Sequence, residues 1–366
     1  MDMESLNITA VGDISMGDHP VCVGHGMRST FKDKKNNVLS GVEQFLKSSD
    51  ITMGNLETVV SDKGLNRFWL PSFEMRGDPQ NLIYLKEAGI DLVSFSNNHC
   101  MQHGDDAFWD TIEQLKKVDI KVIGIDSKKG KTIPYFYAKG GKRHTFFSVS
   151  MRPEERHKGN PPYSLREDID CFFSEVKSLK KESDGFFVCS IHWGLEFLDF
   201  PSQEQCKIGR ALIDAGVDVV FGHHSHLLQS IERYKNGLIF YSLGNFVFDM
   251  WEPKNKISVI ANVKLKDGVK PSYTLVPVVI DNEFLVKPAS MQYRHEILEQ
   301  LRECNSQEIN QIIKNKTNDY FLEYNRKRKA AKPGMYGYFL RNLYKCPPHF
   351  TIQALMRTLF RRLLGI

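Results

Sequence analysis

Along the first 250 residues, short apolar runs end repeatedly in Gly, Asn, Asp or His. The segments with this form are residues 8–18, 50–60, 90–100, 185–197, 219–226 and 238–249. Short apolar runs bounded by turn residues and separated by helical patterns are typical of buried strands in an α/β sheet. The chain is therefore predicted to be an α/β protein with these segments as strands.

Helical patterns lie between several of the predicted strands. Residues 78–89 begin with Asp78 as a possible N-cap and Pro79 at the first helical position, and residues 104–119 and 202–216 are also predicted helices. Two alternating segments, 258–267 and 272–281, predict the last strands, and Gly140 and Gly141 predict a hairpin. We expect one domain over residues 1–285 and a helical, basic, amphipathic extension over residues 286–366.

The segment Val219 to His226 carries three histidines directly after a β-branched apolar run. In a strand, residues two apart point to the same face, so His224 and His226 are predicted to project together and His223 to face away from them. Neutral imidazole is the commonest transition-metal ligand. The pattern favours a metal site, with a hydrogen-bonded structural role as the alternative that the segment alone leaves open.

Other predicted strands also end in side chains that can bind metal. These are Asp13, Glu57, Asn98, His192, Asn245 and Asp249. In α/β sheets, ligands gather at the carboxyl ends of the strands, so we expect one shared site. Taken singly, each has a structural alternative: Asp13 as a turn cap, Glu57 as a solvated carboxylate, and Asn245 and Asp249 as residues that close a strand.

The motifs GDISMG, GNLET, SNNH, IHWG, GHHSH and YSLGNFVFD occur in this order. Together they resemble the CapA family of capsule-biosynthesis proteins (poly-γ-glutamate capsule type), which is similar to the calcineurin-like metallophosphoesterases. The resemblance covers roughly residues 5 to 250. It implies a four-layer α/β/β/α sandwich and a site for one or two divalent metal ions, either manganese, iron or zinc.

The resemblance also implies a role for individual residues. It implies that the metal ligands are Asp13, Glu57, Asn98, His192, His224 and His226, with Glu57 at the position where related enzymes bridge two metals. His99, next to Asn98, matches the group that protonates a leaving oxygen, so both are the implied catalytic residues. The candidate substrate-binding residues are Asn97, His223, Asn245 and Arg152.

The chain departs from the family pattern at three places. Asp18 and Gln102 stand where family members usually have an arginine and an aspartate, so substrate contacts are expected to differ. Ile14 and Ser15 follow Asp13 where phosphoesterases usually have a histidine-bearing half-motif. The resemblance therefore leaves open whether one metal or two is bound.

Residues 151–164 are predicted to form a surface loop that overhangs the site. Arg152, Arg156, His157 and Lys158 within it are candidate contacts for an anionic substrate, with a solvated basic loop as the alternative. The terminal segment ALMRTLFRRLLGI alternates apolar residues with arginines. It is predicted either to lie on an anionic membrane face or to dock its apolar side on the body.

Composition narrows the function classes. Of 366 residues, 41% are hydrophobic and 25% charged, so the chain can bury a substantial core. Seven cysteines without a CxxC pair argue against a disulfide framework, and Cys100 beside the site is expected to be a free thiol rather than a ligand. A net charge of +5 without an aromatic-basic motif argues against nucleic-acid binding.

The sequence has no apolar run of about 18 residues and no basic leader, so we expect a cytoplasmic protein, either free or peripheral at the inner membrane face. The first hypothesis is a metal-dependent hydrolase of phosphoesterase type in the biosynthesis of a capsule or surface polymer. The alternative is an assembly or export factor that binds an anionic polymer beside a membrane synthase. Hydrolysis of an amide bond in a glutamyl polymer is a third hypothesis.

Overall fold

The computed structural model describes residues 5–154 and 159–364, and for residues 361–364 the backbone alone. Three candidate substrate contacts, Arg156, His157 and Lys158, lie outside these residues. So do the side chains of Arg361 and Arg362 in the terminal segment.

The strands are β1 (Ser5–Ile14), β2 (Ile51–Leu56), β3 (Val59–Val60), β4 (Arg76–Gly77), β5 (Leu92–Ser94), β6 (Lys121–Ile123), β7 (Tyr135–Lys139), β8 (Lys142–Ser150), β9 (Phe187–His192), β10 (Val219–His223), β11 (Leu228–Tyr234), β12 (Gly237–Leu243), β13 (Asn245–Val247), β14 (Ile257–Lys266), β15 (Val269–Ile280), β16 (Val286–Pro288) and β17 (Glu303–Cys304). The α-helices are α1 (Met27–Lys34), α2 (Glu43–Leu46), α3 (Leu70–Phe73), α4 (Leu82–Ala88), α5 (Gly104–Lys117), α6 (Ile169–Glu182), α7 (Gln203–Asp214), α8 (Met291–Gln300), α9 (Ser306–Lys316), α10 (Tyr320–Asn342) and α11 (Pro348–Leu364).

Two mixed sheets form the centre of the fold. The first has the order β16-β15-β14-β1-β2-β5-β6, with β13 paired in parallel to the end of β1. The second has the order β17-β11-β12-β10-β9-β8-β7. The predicted hairpin at Gly140 and Gly141 is confirmed, because β7 and β8 pair in antiparallel fashion on either side of it.

Side chains from the two sheets and their helices form three apolar layers. Along β1, Leu6, Ile8 and Ala10 pack between the sheets, whereas Val11 and Ile14 face the helices on the outer side. Helices α1, α4 and α5 cover the first sheet, and α6, α7 and α9 cover the second. The expected four-layer α/β/β/α sandwich is confirmed.

The predicted helices appear where the sequence placed them. Asp78 accepts a hydrogen bond from the Gln80 backbone N–H, and a short 3₁₀ turn leads from there into α4. Helix α7 begins with a capping box in which Ser202 and Gln205 satisfy each other's backbone N–H groups.

Residues after 285 contribute to both sheets and to the apolar layers. Strands β16 and β17 add edges to the first and second sheets. Ile297 and Leu301 are buried between the sheets, and Ile309 and Ile313 are buried under the second. The division at residue 285 stays a prediction, and the segment after it is packed into the sandwich at least as far as Ile313.

Candidate metal centre

The carboxyl ends of the central strands meet at one edge of the sandwich and bring the predicted ligands together. Asp13 ends β1, Glu57 follows β2, Asn98 follows β5, His192 ends β9, and His224 and His226 follow β10. Asp13, Glu57 and the histidines are all buried, with at most 3% exposure. Strand β1 has an irregularity in its pairing with β2 between Ala10 and Asp13, which offsets Asp13 from the regular ladder.

The convergence of His224 and His226 has a different cause from the one predicted. Strand β10 ends at His223, and His224 and His226 have positive φ angles of 93° and 57°. A turn rather than strand alternation therefore aims both rings into the site. The expectation that His223 faces away was also wrong, because its Nδ1 lies 3.1 Å from Asp13 Oδ1.

The two acidic residues lie at the centre of the cluster. Glu57 Oε1 lies 3.6 Å from His192 Nε2 and 3.7 Å from His226 Nε2. Asp13 Oδ2 lies 3.6 Å from His226 Nδ1. Two groups of ligand atoms within 4.8 Å of one another result: Glu57 with His192 and His224, and Asp13 with Glu57 and His226. Glu57 belongs to both groups, so it would supply a ligand atom to a metal ion held by either.

Several buried polar atoms at this site have no hydrogen-bond partner among the described residues. They include Glu57 Oε1 and both ring nitrogens of His224. Buried polar groups are normally hydrogen-bonded, so orphaned atoms that point into one cluster indicate a missing ligand. Carboxylate oxygen and imidazole nitrogen are donors that manganese, iron and zinc accept. The residues present therefore fit a divalent metal.

Electrostatics at the site also suits a cation. Burial, together with the charges of Asp13 and Glu196, raises the pKa of Glu57 well above its ordinary value. Burial also raises the pKa of Asp13, but the hydrogen bond from His223 and the charges of His223 and His226 outweigh it and lower the pKa overall. Burial lowers the pKa of His192 and of His224, which keeps both imidazoles neutral and able to coordinate.

Asn98 and His99 lie together beside the cluster. Asn98 Oδ1 is 2.8 Å from His192 Nε2, and its Nδ2 is 3.3 Å from His99 Nε2. His99 Nδ1 lies 2.9 Å from Gln102 Oε1, an amide oxygen that can only accept, so Nδ1 donates and Nε2 is left toward Asn98. Gln102 therefore orients His99 where family members usually have an aspartate.

Two of the predicted substrate-binding residues hold other residues in place. Asn97 is buried and donates to Asn55 Oδ1 and to the Leu56 carbonyl. Asn245 Oδ1 accepts a hydrogen bond from His226 Nδ1 at 2.9 Å, which leaves Nε2 of that ring toward Glu57. Such contacts fix the ring orientation of a metal-binding histidine.

Asn55 is a site residue to which the sequence analysis gave no role. Its Nδ2 lies 2.9 Å from Asp13 Oδ1, 3.5 Å from Glu57 Oε2 and 3.3 Å from His192 Nδ1. Asn55 and Glu57 are two residues apart at the end of β2, so the same periodicity that was applied to the histidines could have found it.

Asp249 and Asp18 lie behind the centre. Asp249 Oδ2 accepts from the backbone N–H groups of His19 and Met27, and Asp18 accepts from those of Gly24 and Ser29. These contacts fit the structural alternative for Asp249, in which it closes a strand. Burial and the charge of Asp18 raise the pKa of Asp249 to about 8.

A cavity of about 350 Å³ opens onto the cluster. Its lining includes Asn98, His99, His224, His226 and Arg152. Tyr324 and Arg328 of α10 also line it. Neither was found from the sequence, because both lie far outside the motif region.

Among the described residues, no helix is both long enough and apolar enough to cross a membrane. The expected cytoplasmic or peripheral location stays a prediction.

Comparisons with known proteins find relatives that align over most of the chain. The chain is 31% identical over 290 residues to the capsule biosynthesis protein CapA of Bacillus anthracis, covering 76% of this chain and 68% of that protein. It is 30% identical over 280 residues to the PGA biosynthesis protein CapA of Bacillus subtilis (strain 168), covering 75% and 72%. Among solved structures, Haemophilus influenzae NAD nucleotidase aligns with a TM-score of 0.46 and 13% identity, over 89% of this chain and 61% of that one.

The family model described as "Bacterial capsule synthesis protein PGA_cap" matches residues 7–250. This range begins in β1, ends just after Asp249, and contains every residue of the metal centre described above. The chain therefore belongs to the bacterial capsule synthesis protein family PGA_cap.

Proposed function

We propose that this protein is a metal-dependent hydrolase of phosphoesterase type that acts in the biosynthesis of a capsule or surface polymer. The observation that carries the proposal is the pair of buried ligand groups that share Glu57. A structural histidine cluster would have its ring nitrogens hydrogen-bonded, whereas both nitrogens of His224 are orphaned within the described part of the chain. The names of the relatives in Bacillus support the polymer pathway.

The proposed ligands are Asp13, Glu57, Asn98, His192, His224 and His226. One or two divalent ions held there would activate water and stabilise negative charge on the reacting group. Asn55 donates to Asp13 and lies near Glu57 and His192, so it holds three ligands in one arrangement. Asn245 fixes the tautomer of His226 so that Nε2 faces Glu57.

His99 is the proposed proton donor to the leaving oxygen. Its ring lines the cavity, and the Nδ1 hydrogen bond to Gln102 leaves Nε2 as the atom that can exchange a proton with the substrate. Arg152 lines the same cavity and supplies positive charge for an anionic substrate. The side-chain positions suit both a phosphoester and an amide bond. Metal ions held by this cluster would stabilise negative charge, which favours the phosphoester because it is more highly charged than an amide.

Metal content and hydrolysis test the proposal together. We would purify wild type without chelator, the double variant His224→Ala/His226→Ala, and the control His295→Ala, whose histidine is exposed on α8. Metal would be measured by mass spectrometry, and hydrolysis with aryl phosphate monoesters and diesters in added manganese. We expect bound metal and turnover in wild type and control, and neither in the double variant. Absence of metal from wild type under every condition would overturn the proposal.

A second candidate is a non-catalytic assembly factor that binds an anionic polymer beside a membrane synthase. The observation in its favour is a set of exposed apolar residues: Phe68, Trp69, Leu355, Leu359 and Phe360. Helix α11 is docked on one side through buried Phe350 and through Arg357, which binds Glu74 at 2.6 Å and 3.0 Å. Ile352, Leu355, Met356, Leu359 and Phe360 of this helix are exposed, as residues that contact an anionic membrane would be.

Vesicle binding separates the two candidates. The protein would be sedimented with vesicles of phosphatidylglycerol and phosphatidylcholine, beside Leu359→Gln/Phe360→Gln and the control Val269→Gln, an exposed apolar residue on β15. Binding that only the double variant loses would support the membrane role. If all three proteins sediment equally, or if none of them sediments, the exposed apolar residues of α11 do not bind the membrane and no longer favour this candidate.

A further inference from the structure

His19, in the loop that follows β1, lines the cavity over the metal ligands and has no role in the site described so far. Its neighbour Asp18 is one of the residues at which the chain departs from the family pattern. Asp18 is fully buried, accepts from the backbone N–H groups of Gly24 and Ser29, and does not line the cavity. The imidazole of His19 is therefore the polar side chain that this loop brings to the cavity.

A hydrogen bond to His19 determines which ring nitrogen carries the proton. The backbone N–H of Val21 donates to Nδ1 at 3.3 Å, so Nδ1 holds the lone pair of the neutral ring. The proton then lies on Nε2, which has no hydrogen-bond partner among the described residues. His19 thus has one unused N–H donor, on a ring that lines the cavity.

The surroundings of His19 keep its ring neutral. Burial lowers the pKa of His19 to about 3, and the charges of His226 and His99 act in the same direction. Arg152 and Arg328 line the same cavity, and any metal bound at the centre adds further positive charge. A neutral donor contributes a hydrogen bond here without adding to the repulsion between cations.

The ring of His19 is also held in position. Its backbone N–H donates to Asp249 Oδ2 at 2.7 Å. Trp251 packs edge-on against the ring, with 5.0 Å between the centroids, and Tyr338 of α10 stacks on Trp251 at 5.8 Å. A donor that is fixed before the ligand arrives loses little conformational entropy on binding.

We propose that His19 Nε2–H donates a hydrogen bond to a non-bridging oxygen of the phosphoryl group bound at the metal centre, while Arg152 and Arg328 balance its charge. The assignment of a phosphoryl group rests on the proposed function. The neutral donor contributes direction, and the two arginines contribute charge. His19 is then a substrate-binding residue outside the six sequence motifs, supported by α10 through Trp251.

Three substitutions of His19 each keep one feature of the ring. His19→Gln carries an N–H donor as many bonds from the backbone as Nε2. His19→Asn carries an acceptor for Val21 as many bonds from the backbone as Nδ1, and His19→Phe keeps an aromatic ring against Trp251. The control is His295→Gln, because His295 is exposed on α8.

Binding of inorganic phosphate to the manganese-loaded proteins would be measured by isothermal titration calorimetry, and metal content by mass spectrometry. We expect the control and His19→Gln to bind phosphate as wild type does. His19→Asn and His19→Phe should bind it about tenfold more weakly, the effect of one hydrogen bond to a charged group. All four variants should retain the metal.

A purely structural role for His19 predicts a different order. Asparagine would then preserve the contact with Val21, or phenylalanine the packing on Trp251, and glutamine would give no advantage. Wild-type phosphate binding by His19→Asn or His19→Phe would overturn the inference. So would equal weakening in all three His19 variants, or absence of phosphate binding by wild type.

The phosphate measurement does not depend on turnover, so it is separate from the test of the proposed function. Phosphate binding that depends on the donor, without hydrolysis of aryl phosphates, would remove the hydrolase and keep His19 as an anion-binding residue. Hydrolysis together with phosphate binding that none of the His19 substitutions changes would keep the hydrolase and overturn the assignment of His19.

Discussion

Glu57 shows how the site's chemistry depends on one side chain. It is shared by both ligand groups, buried beside a second carboxylate, and has an oxygen without a hydrogen-bond partner in the described structure. Two carboxylates so close repel each other, and burial adds to the cost of charging them. A bound divalent cation would reverse that balance.

Replacing Glu57 with glutamine should therefore separate stability from metal binding. We expect Glu57→Gln to melt at the same or a higher temperature than wild type without metal, because one buried acid is removed. With manganese at about 100 times the wild-type Kd, wild type should gain about 2.7 kcal/mol and the variant much less. Thermal unfolding with and without manganese measures both effects, and an unchanged metal-induced gain in the variant would contradict a bridging role.

Gln102 offers a test of His99. An aspartate at this position would place a negative charge against the Nδ1 side of the ring, which favours the protonated imidazole and raises its pKa. Because a proton donor loses activity as pH rises through its pKa, Gln102→Asp should move the alkaline limit of activity upward. The pH profile of kcat measures this, and an unmoved alkaline limit would argue against His99 as the donor.

The sequence named most residues of the cluster but not how they converge. His224 and His226 were chosen correctly as members of the cluster, yet strand periodicity was the wrong reason, since left-handed turn conformations set their direction. Asn55 follows the same periodicity and was given no role. Arg328 had no local signal, because its proximity depends on where α10 packs. The ligand and substrate assignments remain predictions until metal and substrate are measured.

At the scale of elements, buried polar residues explain a strand that the sequence analysis missed. Strand β11 contains Gln229 and Glu232, which break the apolar pattern, but both form hydrogen bonds inside the protein. Gln229 donates to the Leu198 and Phe200 carbonyls, and Glu232 binds Arg210 at 2.8 Å. Helix α6 was missed although its signal was present: Asp168 caps it, and Phe172, Val176 and Leu179 are buried at helical spacing.

Asp249 links β13 to the start of α1 and should make stability depend on pH. Its pKa is about 8 in the folded chain and near its ordinary 3.8 when unfolded. Between pH 3.8 and pH 8 the folded chain holds a proton that the unfolded chain has lost. The free energy of unfolding therefore falls as pH rises in this range, by up to about 1.4 kcal/mol per pH unit. Asp249→Asn should remove this slope, and its advantage over wild type should grow from pH 4 to pH 8.

Urea unfolding at several pH values measures the Asp249 effect, with exposed Asp33→Asn as the control. A constant difference between Asp249→Asn and wild type across the range would show that the carboxyl does not hold its proton in the folded state.

At the scale of the molecule, the C-terminal region has two parts with different roles. Residues 286–313 supply strands and buried Ile297, Leu301, Ile309 and Ile313, each of which contributes about 1.5–3 kcal/mol through burial. Beyond them, within the described chain, α10 and α11 add few buried apolar residues. The α/β class was predictable from the strand pattern and the four-layer sandwich from the family resemblance, whereas this packing depended on long-range contacts.

Two truncations test that difference. Removing residues 286–366 should prevent stable folding, while removing residues 347–366 should lower the melting temperature by only a few degrees and retain the metal. Circular dichroism melts and metal content measure the outcome. A cooperative, metal-binding fragment 1–285 would show that the sandwich is complete without the segment that follows it.

The distance along the chain between the site's parts has a consequence for folding. Asp13 is paired in register with Asn245 and accepts a hydrogen bond from the backbone of His224, more than 200 residues away. Contacts between such distant segments form late, because closing long loops costs entropy before any contact compensates for it. During synthesis, Asp13 cannot form the site until His224 and His226 have been made and folded against it. Metal uptake would then report that both sheets have assembled, and a stalled or misfolded chain would stay metal-free.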